Sequence, residues 1–100
     1  MTKFHLHLIC PVVAEEKLMD VLLVNAGDEV FTSVHVFDHG FASISLNAEE
    51  QVMGRSRAVQ MQLLLDEETL KSLVESIQRE LKGNKIRYWV TPVMFNGEIK

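Results

Sequence analysis

The chain has one cysteine, two prolines and one tryptophan in 100 residues, no surplus of positive charge and no long apolar run. Each shortage excludes something. A single thiol, Cys10, cannot close an internal disulfide, which fits a reducing compartment. The net charge of −4 leaves no basic surplus to release counterions from phosphates, so nucleic acid is not an expected partner. Lys3, His5, His7 and Lys85 make at most a local positive spot. No stretch approaches the roughly 18 uninterrupted apolar residues of a membrane span. The opening stretch holds two histidines and stops at Pro11, unlike a signal peptide. The expectation is a cytoplasmic chain that does not insert into a membrane. No Gly-rich phosphate loop is present. Neither Cys10 nor any serine has a base identifiable from sequence, and no acid pair stands in a recognisable context, so an enzyme is not expected.

What is present reads as one ordinary globular domain over residues 1–100, 47% hydrophobic and 24% charged. Phe4-His5-Leu6-His7-Leu8 alternates apolar and polar, the period of a half-buried strand, and runs on to Pro11. From Val13 to Asn25 the spacing becomes helical: Leu18, Val21, Leu22 and Asn25 fall on one side, Glu15, Glu16 and Asp20 on the other. Ala26-Gly27 supplies a stop. Glu29 to Phe37 is rich in Val, Phe and Thr and reads as a strand, as does Arg57 to Leu65. Asp66 is a good N-cap for a second helix through Leu70, Leu73, Val74, Ile77 and Leu81, closed by Lys82-Gly83. Ile86 to Thr91 is a last strand ending at Pro92.

The order β-α-β-β-α-β predicts an α+β, ferredoxin-like sandwich: an antiparallel four-stranded sheet with two amphipathic helices on one face. Phe4, Leu6 and Leu8 are expected to face the helices and His5, His7 and Ile9 the other side. Aligning the remaining strands adds Phe31, Ser33, His35, Phe37, Gln60, Gln62, Arg87 and Trp89 to that open face. Exposing Phe31, Phe37 and Trp89 together is unusual for a soluble protein, so these three are the expected oligomer interface. The seventeen residues from Asp38 to Gly54 exceed the usual length of a connection and suggest a functional loop. Asn47 and Glu50 resemble a capping box within it.

The Gly83-Asn84-Lys85-Ile86 lead-in and the Val90-Thr91-Pro92-Val93 exit of the last strand resemble the PII-like superfamily. Ile9-Cys10-Pro11 and Val59-Gln60-Met61 resemble its divalent-cation tolerance (CutA) branch. Gly54-Arg55-Ser56-Arg57 and Ile86-Arg87-Tyr88-Trp89-Val90 are similar to a small PII-like family with a shortened T-loop. The resemblance implies a homotrimer with ligand clefts between subunits, and for some members a link to heavy-metal efflux. It also implies that Lys85 matches the lysine beside nucleotide phosphates and Gly40 the glycine at the T-loop base. Two departures count against ATP. The arginines that grip phosphates after the last strand are replaced by Met94-Phe95-Asn96-Gly97-Glu98-Ile99-Lys100. The loop lacks the modifiable tyrosine; Tyr88 lies in the last strand.

Two candidate sites follow. Gly40, Arg55, Arg57, Gly83 and Lys85 form a candidate ligand site, because paired guanidinium groups and an ammonium suit an anion; solvated charge or inter-subunit ion pairs are the dull alternative. His5, His7, His35 and Cys10 form a candidate transition-metal site for Cu or Zn. Two imidazoles two residues apart on a strand project from one face, and a thiol before a helix N-terminus can ionise more easily. Against this stand histidines hydrogen-bonded at an interface and a cysteine that simply packs. The leading expectation is a trimeric, non-catalytic, PII-like regulator that binds a small effector and presents loop 38–54 to a protein target. The alternative is a metal-binding protein of heavy-metal homeostasis.

Overall fold

The computed structural model describes residues 2–40 and 54–100. Their elements are β1 (Lys3–Pro11), a short 3-10 turn (Val12–Ala14), α1 (Glu15–Asn25), β2 (Thr32–Asp38), β3 (Ser56–Asp66), α2 (Glu67–Glu80) and β4 (Arg87–Val93). The strands form one sheet in the order β2-β3-β1-β4, and every neighbouring pair is antiparallel. This is the α+β, ferredoxin-like arrangement expected from the sequence, with β1 and β3 central because each half contributes one inner and one outer strand.

The alternation in β1 translates directly into burial. Leu6, Leu8 and Cys10 are buried, while His5, His7 and Ile9 are half-buried on the other face. Across from them β3 buries Val59, Met61, Leu63 and Leu65. The helices close this layer with Leu18, Val21 and Leu22 from α1 and Leu70, Leu73 and Ile77 from α2. Asp66 caps α2: its carboxylate accepts the Thr69 N–H at 2.8 Å, satisfying one of the free amides of the first turn. Asn25, the polar member of the α1 stripe, meets the other helix instead of solvent. Its side-chain amide donates to the Val21 carbonyl at 2.9 Å, and its Oδ1 accepts from Ser76 Oγ at 3.3 Å.

Three expectations need correction. β2 starts at Thr32, three residues later than expected, and reaches Asp38. β4 continues through Pro92 to Val93; as an edge strand it pairs on one side only, which accommodates a residue without an N–H. The larger correction is the phase of β2. Thr32, Val34 and Val36 pair with Gln62, Gln60 and Ala58, whereas Ser33, His35 and Phe37 pair with Met61, Val59 and Arg57. Ser33, His35 and Phe37 therefore share the helix-covered side, and Phe31 packs against the core. Both alternate sets of β2 contain large apolar groups, so alternation alone does not say which set faces inward, and a shift of one residue moves every side chain to the other face. The loop reading for Asp38–Gly54, including the Asn47/Glu50 cap, falls largely on residues 41–53, outside the described residues.

Candidate functional site

One end of the sheet collects the residues of the expected ligand site. β1 finishes there at Pro11, opposite Ala58. β2 finishes at Asp38, opposite Ser56, and β4 begins at Arg87, opposite Ile9. Gly40 follows β2 by two residues, Arg55 and Arg57 bracket the start of β3, and Gly83 and Lys85 lie between α2 and β4. The topology thus brings all five to one end, although Gly40 and Lys85 are forty-five residues apart in sequence. Gly83 has φ 89° and Lys85 φ 58°. The left-handed backbone is easy for glycine and uncommon for lysine.

The local chemistry at this end is cationic with an apolar neighbour. The Arg55 guanidinium carbon sits 4.0 Å from the centre of the Phe37 ring, a cation–π distance. Its Nε is buried and has no hydrogen-bond acceptor among the described residues. Arg87 donates to Asp38 Oδ1 at 2.8 Å, tying the two edge strands together. A pocket of about 560 Å³ opens beside the α2–β4 turn, lined by Val74 and Ile77 of α2, by Leu81 just past its end, and by Gly83, Lys85, Ile86 and Tyr88. Sequence reasoning found the glycine and the lysine of this wall but missed Tyr88 and the Asp38–Arg87 pair, whose partners lie 49 residues apart and leave no local signal.

The four expected metal ligands do not converge. His35 lies on the helix side, its Nε2 3.8 Å from a Glu15 carboxylate oxygen. Cys10 is fully buried. Burial first, and the Glu15 charge second, push its thiol up to about 11, the reverse of the easier ionisation expected beside a helix N-terminus: the loss of water outweighs the dipole. No group of three or more His, Cys, Asp or Glu side chains placed to hold a metal occurs among the described residues.

His5 and His7 do come together. His7 Nε2 is 3.2 Å from His5 Nδ1, His5 Nε2 is 2.9 Å from Gln62 Oε1, and Gln60 Nε2 is 3.3 Å from His7 Nδ1. The Trp89 ring stacks on His7, 4.9 Å between centres and 13° from parallel. Burial, then the neighbouring His5, hold the His7 imidazole below its ordinary value. Around this network the open face exposes Trp89 (42%), Val34 (48%) and Leu64 (36%). Of the expected interface residues only Trp89 is on this face; Phe31 and Phe37 are not.

No helix among the described residues is long and apolar enough to cross a membrane. The family model described as "Protein of unknown function (DUF3240)" matches residues 1–100, and the chain belongs to that family. No curated protein matches it. Among solved structures it resembles a DUF3240 family protein from Shewanella baltica OS155 (TM-score 0.80, 17% identity, covering 100% of this chain and 99% of the other). It also resembles CPII, a nitrogen regulatory PII-like protein from Thiomonas intermedia K12 solved with ADP, AMP and bicarbonate (TM-score 0.73, 18% identity, 99% and 98%). A third similar structure is the GlnK–ATP complex of B. subtilis (TM-score 0.67, 15% identity, 92% and 82%). The fold is therefore that of the PII-like proteins.

Proposed function

We propose that this DUF3240 family member is a non-catalytic, PII-like regulator that assembles as a trimer and binds a small anionic effector at the end of the sheet holding Gly40, Arg55, Arg57, Gly83 and Lys85. The observation that carries the reading is the Arg55 guanidinium. A buried guanidinium N–H without an acceptor is costly, and an anion seated beside it would supply one. At the β4 side of the same end of the sheet, Gly83 and Lys85 line a 560 Å³ pocket that Arg55 does not itself line. Its volume is within the size range of small-molecule sites, and the structures of CPII and GlnK carry adenine nucleotides. ATP itself is expected to bind weakly, because Met94–Lys100 offers no arginine for a triphosphate. Effector binding would be passed to a protein target through loop 38–54.

For the trimer, the support is the open sheet face. With β2 in its observed phase, Ile9, Val34, Val36, Leu64 and Trp89 are the apolar groups that a subunit contact would cover.

The test is a thermal-shift and calorimetric panel of ADP, AMP, ATP and bicarbonate on purified protein. An effector at 100 times its dissociation constant stabilises the native state by about 2.7 kcal/mol, and Arg55→Ala or Lys85→Ala should remove the gain. Stabilisation that survives both substitutions would place the ligand elsewhere. Micromolar ATP affinity abolished by Lys85→Ala would make the protein an ordinary nucleotide-sensing PII. If no anion in the panel stabilises it, the effector reading fails.

A further inference from the structure

The His5–Gln62 and His7–Gln60 contacts define a directed chain. Gln60 Nε2–H donates to His7 Nδ1, so His7 carries its proton on Nε2 and donates to His5 Nδ1. His5 carries its own proton on Nε2 and donates to Gln62 Oε1. Each imidazole thus has its outer nitrogen held by a glutamine and its inner nitrogen turned toward the other ring. Trp89 fixes the plane of the His7 ring. Metal-binding histidines donate the N–H remote from the metal to a polar acceptor that sets orientation. His5 already does so to Gln62, whereas His7 accepts from Gln60 and matches the pattern once its tautomer and the Gln60 amide are reversed.

The spacing suits a metal ion. The inner nitrogens are 3.2 Å apart. Two bonds of about 2.0–2.1 Å to one ion would meet at roughly 100°, between the square-planar and tetrahedral angles. We propose that His5 Nδ1 and His7 Nε2 form a two-imidazole site for a divalent transition metal on the open sheet face, with Gln60 and Gln62 as positioning residues. The site is separate from the anion site and does not depend on it.

Binding requires one rearrangement. The His7 proton moves from Nε2 to Nδ1, and the Gln60 amide flips so that its carbonyl accepts that proton. The rings turn until both inner lone pairs point at the ion. Each imidazole stays neutral, so no net proton is released. Two protein nitrogens leave the remaining coordination positions to water or, in the proposed trimer that closes on this face, to groups of a neighbouring subunit. Among first-row divalent ions nitrogen sites favour Cu(II), with Zn(II) weaker.

The single tryptophan is a built-in reporter, because it stacks on a ligand. Titrating the oligomer as purified with Cu(II) sulfate should quench Trp89 fluorescence saturably at one ion per chain, and Zn(II) should compete. His5→Gln or His7→Gln should weaken binding at least as much as Gln62→Leu, for which about 10- to 100-fold is expected from loss of a positioning partner. His35→Gln, on the helix-covered side, and His39→Gln, directly after the end of β2, should bind like the parent. Nitrogen-15 spectra of the parent with Zn(II) give a readout that needs no variant to fold: His5 Nδ1 and His7 Nε2 should shift to metal-bound positions. Unchanged affinity in His5→Gln and His7→Gln, Zn(II) shifts at other histidines, or the absence of saturable binding by the parent would each overturn the site.

Discussion

Cys10 separates a reactive thiol from a core residue, and the structure sets the size of the difference. The side chain is fully buried, and its thiol is pushed from 9.0 up to about 11, by burial first and the Glu15 charge second. Two units means about 100-fold less thiolate than an ordinary cysteine carries at any pH below 9, and the thiolate is the reacting species. Absence of solvent contact slows attack further. Ellman's reagent at pH 8 should therefore label the native protein at least about 100-fold more slowly than the urea-unfolded chain, with labelling rising in step with unfolding. The same shift has a sign for stability. Below about pH 9 the thiol is protonated in both states and its contribution is complete. From 9 toward 11 only the unfolded chain ionises, so stability falls as pH rises. Cys10→Ala should flatten that alkaline decline relative to the parent. Native labelling at close to the unfolded rate, or an unchanged alkaline slope in Cys10→Ala, would refute the account of Cys10 as a packed core residue.

Other outcomes follow from the same geometry. Leu6 is fully buried at the centre of the sheet, so Leu6→Ala should cost about 2–5 kcal/mol in urea unfolding; a loss under about 1 kcal/mol would mean the central layer is looser than described. If the open face closes the proposed trimer, Trp89→Asp should shift light scattering toward the 11.4 kDa monomer, while Glu75→Lys on the exposed side of α2 should not; equal behaviour would remove the open face as the interface. Hydrogen bonds from Thr69, the backbone N–H first and the hydroxyl second, hold the Asp66 carboxyl below its ordinary value of 3.8. Its contribution is thus present above the ordinary carboxylate range and lost as pH falls through the lowered value. Asp66→Ala should lower the thermal midpoint at pH 7 and the gap should close in acid; a gap that persists undiminished would refute the cap.

Much of the fold is decided within single segments. The period-two pattern of Phe4–Leu8, the helical stripe Leu70–Leu81 and the Asp66 cap each depend on neighbours a few residues away, so local sequence predicts them and the structure agrees. The candidate anion site could be named as a list of residues, Arg55 and Arg57 from guanidinium chemistry and Gly40, Gly83 and Lys85 from the resemblance to PII-like proteins. That they lie at one end of the sheet is given by the strand order and register.

Other features exist only through pairing between distant segments. Which side of β2 faces the helices depends on its register against β3, and with Phe31 and Phe37 competing against Val34 and Val36 nothing within the strand settles it. Strand pairing elsewhere in the sheet does the same: the clasp of Gln60 and Gln62 on the two histidines comes from β1 against β3, the stacking of Trp89 on His7 from β1 against β4, and the Arg87–Asp38 contact joins the two edge strands. The same holds for Cys10. Its sequence position beside a helix start argues for an easily ionised thiol, but the layer of Leu, Val and Met closing over it removes the water that an anion needs, and desolvation wins. The amino-acid order by itself determined the elements and their succession; the packed sheet decided which side chains meet, and through that where charge, metal or partner can be held.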